Sequence, residues 1–221
     1  MTTVKLISYQ NPTEYLSKEG IKDALGLVAY CARVSNPSNQ LNSETNEKLV
    51  KYLIKHQHWS PLEMVSACLE INTTRDIAHQ IVRHRSFSFQ EFSQRYAKPT
   101  EMGDMFEYTD ARLQDEKNRQ NSIETDDEKI RLEWYRLQRR ITFFAEKEYK
   151  AAIKMGIAKE LARKVLPEGL TKTRIYMNGT LRSWVHYIDL RSANGTQKEH
   201  MEIAKACAEV ITKIFPRIDS Q

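Results

Sequence analysis

From Met64 to Ile71 the apolar residues fall on every second position, Val65, Ala67, Leu69 and Ile71, which is the spacing of a strand with one buried face. On either side the spacing is three and four: Leu49, Val50, Leu53 and Ile54 lie before the run, Ile77, Ile81 and Val82 after it. A chain that changes period in this way folds as α+β, and the remaining pattern agrees. Helices are predicted from Ile21 to Val34, from a Thr125-Asp-Asp-Glu128 capping box through Phe144, from Ile157 to Val165, from Thr180 to Leu190, and from Thr196-Gln-Lys-Glu199 onward through Ile203, Cys207, Val210, Ile211 and Ile214. Thr73 with Asp76 reads as a further capping box, opening the helix after the strand. Extended segments are predicted at Val4 to Ser8, Ser86 to Tyr96 and Thr171 to Tyr176. The stripe Ile130, Trp134, Leu137, Ile141 and Phe144 reads as core or subunit packing. Ser35 to Ser43 is a polar loop, and Lys98 to Glu124, polar and poorly patterned, is expected to be surface loop with a short helix. With 221 residues, no repeat and no linker, the expectation is a single helix-rich domain spanning 1–221.

Composition narrows the function classes. The mean hydropathy of −0.62 and the lack of an apolar run near the ~20 residues that cross a bilayer argue against a membrane span. The first residues, Met1-Thr-Thr-Val-Lys-Leu-Ile-Ser, lack the basic and apolar segments of a secretory signal, so a cytoplasmic protein is expected. Three cysteines, Cys31, Cys68 and Cys207, are widely spaced and form no C-x-x-C pair, which reads as reduced core residues. The formal charge of +5 suits nucleic acid, nucleotides or another anionic ligand. The six histidines form no H-E-x-x-H, so no metal site is expected, and the absence of G-x-G-x-x-G excludes a dinucleotide fold.

The densest chemistry lies at Arg83-His84-Arg85, followed by Glu91 and by Ser93-Gln-Arg95 and interleaved with Phe87, Phe89 and Phe92. Two cations beside the imidazole are expected to keep His84 neutral. A basic helix end favoured by the helix dipole is the bland reading, and a nucleic-acid module stacking bases on the phenylalanines is a second functional one. A second crowded place is the break at His56 to Pro61, where His56, His58, Trp59, Ser60 and Glu63 gather.

The sequence resembles the flavin-dependent thymidylate synthases. Arg83-His84-Arg85, seven residues and Ser93 reproduce that family's signature, and Ala32-Arg33-Val34-Ser35, His58-x-x-Pro61-x-Glu63, Leu161-Ala-Arg163-Lys-Val-Leu166-Pro167, Arg182 and Leu190-Arg191 follow the family order over nearly the whole chain. The resemblance implies a small, mostly antiparallel sheet in a homotetramer whose active sites form between subunits. It implies methylation of deoxyuridylate (dUMP) to thymidylate (dTMP), with 5,10-methylenetetrahydrofolate as the carbon donor and FAD reduced by NADPH as the hydride source. FAD would contact Ser35, His58, Ser60, Glu63, Arg83, His84, Arg85, Glu91, Thr180, Arg182 and His186. The nucleotide would meet Gln80, Arg83, Glu91, Phe92, Ser93, Gln94 and Arg95, Arg163 from a neighbouring subunit, and Arg191, which is assigned to polarising the uracil ring. Ser93 is expected to be a ligand contact, since an alkoxide needs an adjacent base, and no cysteine is required. Neither nucleic acid nor membrane is an expected partner. Departures from the family pattern are Thr180, with Asn178 two residues before it, where many members carry Asn, His186 where some carry Asn, and a longer run after Arg191.

Overall fold

A computed structural model describes residues 2–215. Its centre is a four-stranded sheet in the order β1-β2-β6-β3, with every neighbouring pair antiparallel. The strands are β1 (Thr3–Tyr9), β2 (Ser66–Thr74), β3 (Phe87–Glu91) and β6 (Lys172–Thr180). The period-two run is the middle of β2, and its buried residues face buried residues of β6: Ala67 opposite Gly179, Leu69 opposite Met177, Ile71 opposite Ile175. β3 continues the row with Phe87 opposite Gly179. A Cβ at Gly179 would collide with the Phe87 ring, so this glycine is a matter of space rather than of backbone angle.

The helices are α1 (Glu14–Lys18), α2 (Ala24–Ala32), α3 (Asn46–Lys55), α4 (Arg75–Ile81), α5 (Glu128–Lys154), α6 (Lys159–Ala162), α7 (Leu181–Ser192) and α8 (Lys198–Ile214). Helix α8 lays Ile203, Ala204, Cys207 and Ile211 against β1, β2, α4 and α7. Trp184 and Tyr187 of α7 fill the centre, and the Trp184 indole donates to the Ala67 carbonyl at 3.1 Å. Within the described residues no helix is long and apolar enough to cross a membrane.

Local chemistry moved several boundaries. The strand runs on to Thr74, and Thr74, not Thr73, holds the N-cap position of α4; its hydroxyl donates to the Asp76 carboxylate at 2.6 Å rather than accepting from a helix amide. Asp127, not Thr125, caps α5 by accepting from the amides of Lys129 and Ile130, because a carboxylate at the helix start is the better acceptor. Gln197 rather than Thr196 precedes α8. Helix α2 starts only at Ala24, where Asp23 accepts from the Gly26 amide at 2.6 Å. The segment expected as one helix from Ile157 to Val165 is α6 followed by a 3-10 turn, Arg163–Val165. The polar stretch before α5 holds a hairpin of β4 (Arg112–Gln114) and β5 (Ser122–Glu124), too short for a period to show.

Of the two readings of the α5 stripe, core or subunit packing, the fold removes the first. Ile130, Trp134, Leu137, Ile141 and Phe144 are not core: they are 39–55% exposed, and Phe143 is 66% exposed. The side that faces the chain is Gln138, Thr142, Ala145 and Tyr149. Gln138 binds Thr109 with both ends of its amide, accepting from the amide nitrogen and donating to the carbonyl, each at 2.9 Å. The Tyr108 and Thr142 hydroxyls meet at 3.1 Å.

Candidate active site

Helix α4 ends at Ile81, so the Arg83-His84-Arg85 triplet lies in the turn before β3 rather than on the helix. The half-buried His84 ring stands edge-on to Tyr187 with centroids 4.9 Å apart. Arg191 lies inside the last turn of α7, not beyond it, and its Nε–H donates to Nε2 of His84 at 2.9 Å. In the neutral ring the proton is therefore on Nδ1. The expected neutrality has a different origin from the one expected: burial lowers the His84 pKa first and Arg191 second, while Arg83 and Arg85 point into solvent. Among the described residues neither of those side chains has a partner.

Two places flank this pair. On one side the 3-10 turn Ser60–Glu63 is tied to α7: Glu63 pairs with Arg182, and Trp59 meets His186 edge-on at 4.4 Å. His58 and Ser60 are exposed beside them. Tyr52 meets the His58 ring at 6.0 Å and also lines, with Ser35, a cavity of about 450 Å³. The loop carrying Ser35 is pinned by the buried Arg33, which donates to the Asn42 carbonyl, Asn46 Oδ1 and Thr45 Oγ1 at 2.6–2.9 Å. Thr180 caps α7, its hydroxyl accepting from the Ser183 amide at 3.3 Å.

On the other side, Glu91 takes Arg75 of α4 at 3.2 Å and the Thr173 hydroxyl of β6 at 2.9 Å on one carboxylate oxygen, so it fastens β3 to its neighbours. Phe92 continues the strand by donating its amide to the Arg174 carbonyl at 2.8 Å. Ser93 opens a turn in which its Oγ accepts from the Arg95 amide at 3.3 Å. Gln94 is only 3% exposed, and its amide nitrogen has no partner among the described residues. Arg95 reaches Glu160 of α6 at 3.2 Å, and the Arg163 Nε donates to the Glu160 carbonyl at 3.4 Å. Arg163 lies one turn along from Glu160, and α6 is joined to the Ser93 turn through the Glu160 side chain on Arg95 and through Lys159, whose ammonium holds the Tyr96 carbonyl at 2.6 Å.

Nothing in this arrangement makes a nucleophile. Ser93 has no base beside it, since Glu91 and His84 are engaged elsewhere, and burial pushes the thiols of Cys31, Cys68 and Cys207 up. The arrangement is also unlike a stacking platform for nucleic acid: Phe87 is buried against Trp184, with centroids 4.8 Å apart, and Phe89 and Phe92 are half-buried. Among the described residues no group of three or more His, Cys, Asp or Glu is placed to hold a metal ion.

Sequence reasoning missed the residues behind the triplet. His200 is fully buried, with Nδ1 3.3 Å from Gln80 Oε1, and its ring packs near Tyr187 and His84. Glu160 was missed as well. Its partner Arg95 lies 65 residues away, a separation that no local period or spacing signals.

The sequence matches, over residues 17–217, a family model described as thymidylate synthase complementing protein. It is 49% identical to a probable flavin-dependent thymidylate synthase of Paramecium bursaria Chlorella virus 1, across 98% of this chain and 96% of that protein. It is 46% identical to a flavin-dependent thymidylate synthase of Synechocystis sp. PCC 6803, across 97% and 96%. In three dimensions it is similar to a UMP/dUMP methylase, PolB, from Streptomyces cacaoi, with a TM-score of 0.78 over 97% of this chain and 91% of that one; at 24% identity this likeness shows the fold.

Proposed function

The chain belongs to the flavin-dependent thymidylate synthases, and from that premise we propose how its residues divide the work of methylating dUMP to dTMP. The observation that carries the reading is the 2.9 Å bond between Arg191 and His84, which joins two motif elements 107 residues apart. With Nε fixed on His84, the terminal nitrogens of Arg191 are aimed donors with a permanent charge, suited to negative charge that develops on a uracil oxygen or nitrogen. His84 serves Arg191 only while neutral, because a protonated ring has no lone pair to accept with and would set two cations side by side.

Arg95 and Arg163, gathered around Glu160, suit the phosphate of the nucleotide. Gln80, Arg83, Phe92, Ser93 and Gln94 complete its contacts. The buried, unpartnered amide nitrogen of Gln94 supports a ligand here, since such a donor is costly to leave unpaired. Glu91 holds β3 in register for these contacts.

The donor set also fits a flavin dinucleotide. Arg83 and Arg85 offer exposed, unpartnered guanidinium groups to a pyrophosphate, and Ser35, His58, Ser60, Glu63, Arg182 and His186 surround the adjoining surface; the Thr180 hydroxyl, occupied as a helix cap, contributes by orienting α7. FAD, reduced by NADPH, supplies a hydride when bound, and 5,10-methylenetetrahydrofolate the carbon. The chain acts by orienting the nucleotide and by holding charge. The apolar face of α5 supports an assembly of subunits, in this reading a homotetramer with sites shared between them.

Tritium release from dUMP labelled at C5, measured with and without FAD, tests reaction and cofactor together. Release that needs both FAD and the folate, with dTMP formed, is expected. Absence of FAD-dependent release would remove the reading.

A further inference from the structure

Behind Gln80 runs a chain of polar side chains that the reaction as described does not use. His200 Nδ1 lies 3.3 Å from Gln80 Oε1, Gln80 Nε2 donates to Gln197 Oε1 at 2.7 Å, and Gln197 Nε2 donates to Glu199 Oε2 at 3.0 Å. The other Glu199 oxygen takes Arg112 of the β4–β5 hairpin at 2.6 Å, in a pair whose side chains are only 16% and 19% exposed. Lys198 with Glu124 ties the second strand of the hairpin to the same helix end.

Every donor in this chain points towards Glu199. A carboxylate only accepts, so it fixes Gln197 with its NH₂ towards Glu199 and its oxygen towards Gln80. That oxygen in turn fixes the NH₂ of Gln80, whose oxygen then requires the proton of His200 on Nδ1. One N–H of Gln80 is held by Gln197, and the other is left as a donor of fixed direction. His200 is buried and, with Tyr187, forms the wall against which His84 stands.

We propose that Glu199, Gln197 and Arg112 are positioning residues for nucleotide binding: the hairpin holds the Glu199 carboxylate, the carboxylate orients Gln197 and Gln80, and the chain ends on the His200 wall behind His84 and Arg191. The proposal rests on the reading of Gln80 and Arg191 as nucleotide contacts. It also gives the otherwise unpatterned Arg112 to Glu124 stretch a task.

The test uses the flavin-loaded enzyme, with dUMP as the probe. Glu199→Gln, which keeps the shape but removes the obligate acceptor, is expected to raise the KM and the calorimetric Kd for dUMP about tenfold, with kcat at saturating dUMP within about a factor of two and flavin content unchanged. The double exchange Arg112→Glu with Glu199→Arg restores the ion pair but not an acceptor for Gln197. It is expected to recover the Tm while the dUMP KM stays high. Lys18→Ala, on the distant α1, is the surface control.

Wild-type KM in Glu199→Gln, or recovery of KM in the double exchange, would overturn the proposal and leave the hairpin a structural brace. A wild-type enzyme that does not bind dUMP would instead overturn the functional reading, and the proposal with it.

Discussion

Arg191 and His84 show how much a single contact decides at the scale of one residue. The guanidinium is held by a ring whose basicity is lowered by burial and by the guanidinium itself. Arg191→Ala is therefore expected to abolish tritium release while the protein still retains flavin at least in part; an active variant would refute the assignment. His200 makes a prediction about pH. Burial, then Arg191 and His84, push its pKa from 6.5 down to about 4. Between those values the unfolded chain takes up a proton that the folded chain refuses, so stability falls as the solution is acidified below 6.5. The expected loss from this one ring is about 2 kcal/mol at pH 5 relative to neutral pH. Urea midpoints for wild type and His200→Gln check it: the variant should show a shallower pH slope between 4 and 6.5, and parallel slopes would place the effect elsewhere. Arg83, His84 and Arg85 are legible in the sequence as a group because they are adjacent, but the partner of His84 is not, since Arg191 reaches it only through the packing of α7.

Strands and helices follow a similar division. The alternation in β2 and the stripes of α3 and α8 are visible because burial on one face of a regular element leaves a period. The hairpin β4–β5 leaves none: its strands have three residues each, and ion pairs to α8 rather than an apolar face hold it. The cap of α5 lies two residues beyond the Thr125 expected from the sequence: Thr125 accepts from the Asp127 amide, and Asp127 accepts from the first free amides of the helix, those of Lys129 and Ile130. Gly179 carries a prediction at this scale. It is the one position at which β6 lets the Phe87 ring lie across the strand, against Trp184 and Tyr187. Gly179→Ala should cost about 2 kcal/mol by overpacking, read as a drop in the urea midpoint; because β3 leads from the triplet to the Ser93 turn, dUMP binding should weaken in parallel.

For the whole molecule, α5 is the feature that a single chain does not explain. Its 27 residues span about 40 Å, its inner side is held by the hydrogen bonds of Gln138 to Thr109 and of Thr142 to Tyr108 and by Ala145 and Tyr149 packed with Met105, Phe106 and Ala162, and its outer side carries Trp134, Ile141, Phe143 and Phe144. An apolar face of this extent marks an interaction surface, and in the proposed tetramer it is where subunits meet. The double substitution Ile141→Asp with Phe144→Asp is expected to yield a smaller species in light scattering with its helix content retained, and to lose turnover if sites are shared; a variant that stays tetrameric would move the interface elsewhere. The sequence by itself determined the α+β class, the order of the longer elements and the residues of the signature, because periodicity and adjacent motif residues are local properties. Only the tertiary structure decided that the α5 stripe faces outward, that Glu91 braces the sheet, that Arg95 pairs with Glu160, and that burial, with Arg191 second, keeps His84 neutral. Each of these depends on which distant segments share a dielectric environment and a hydrogen bond, and burial and contact between residues a hundred positions apart leave no mark on local spacing.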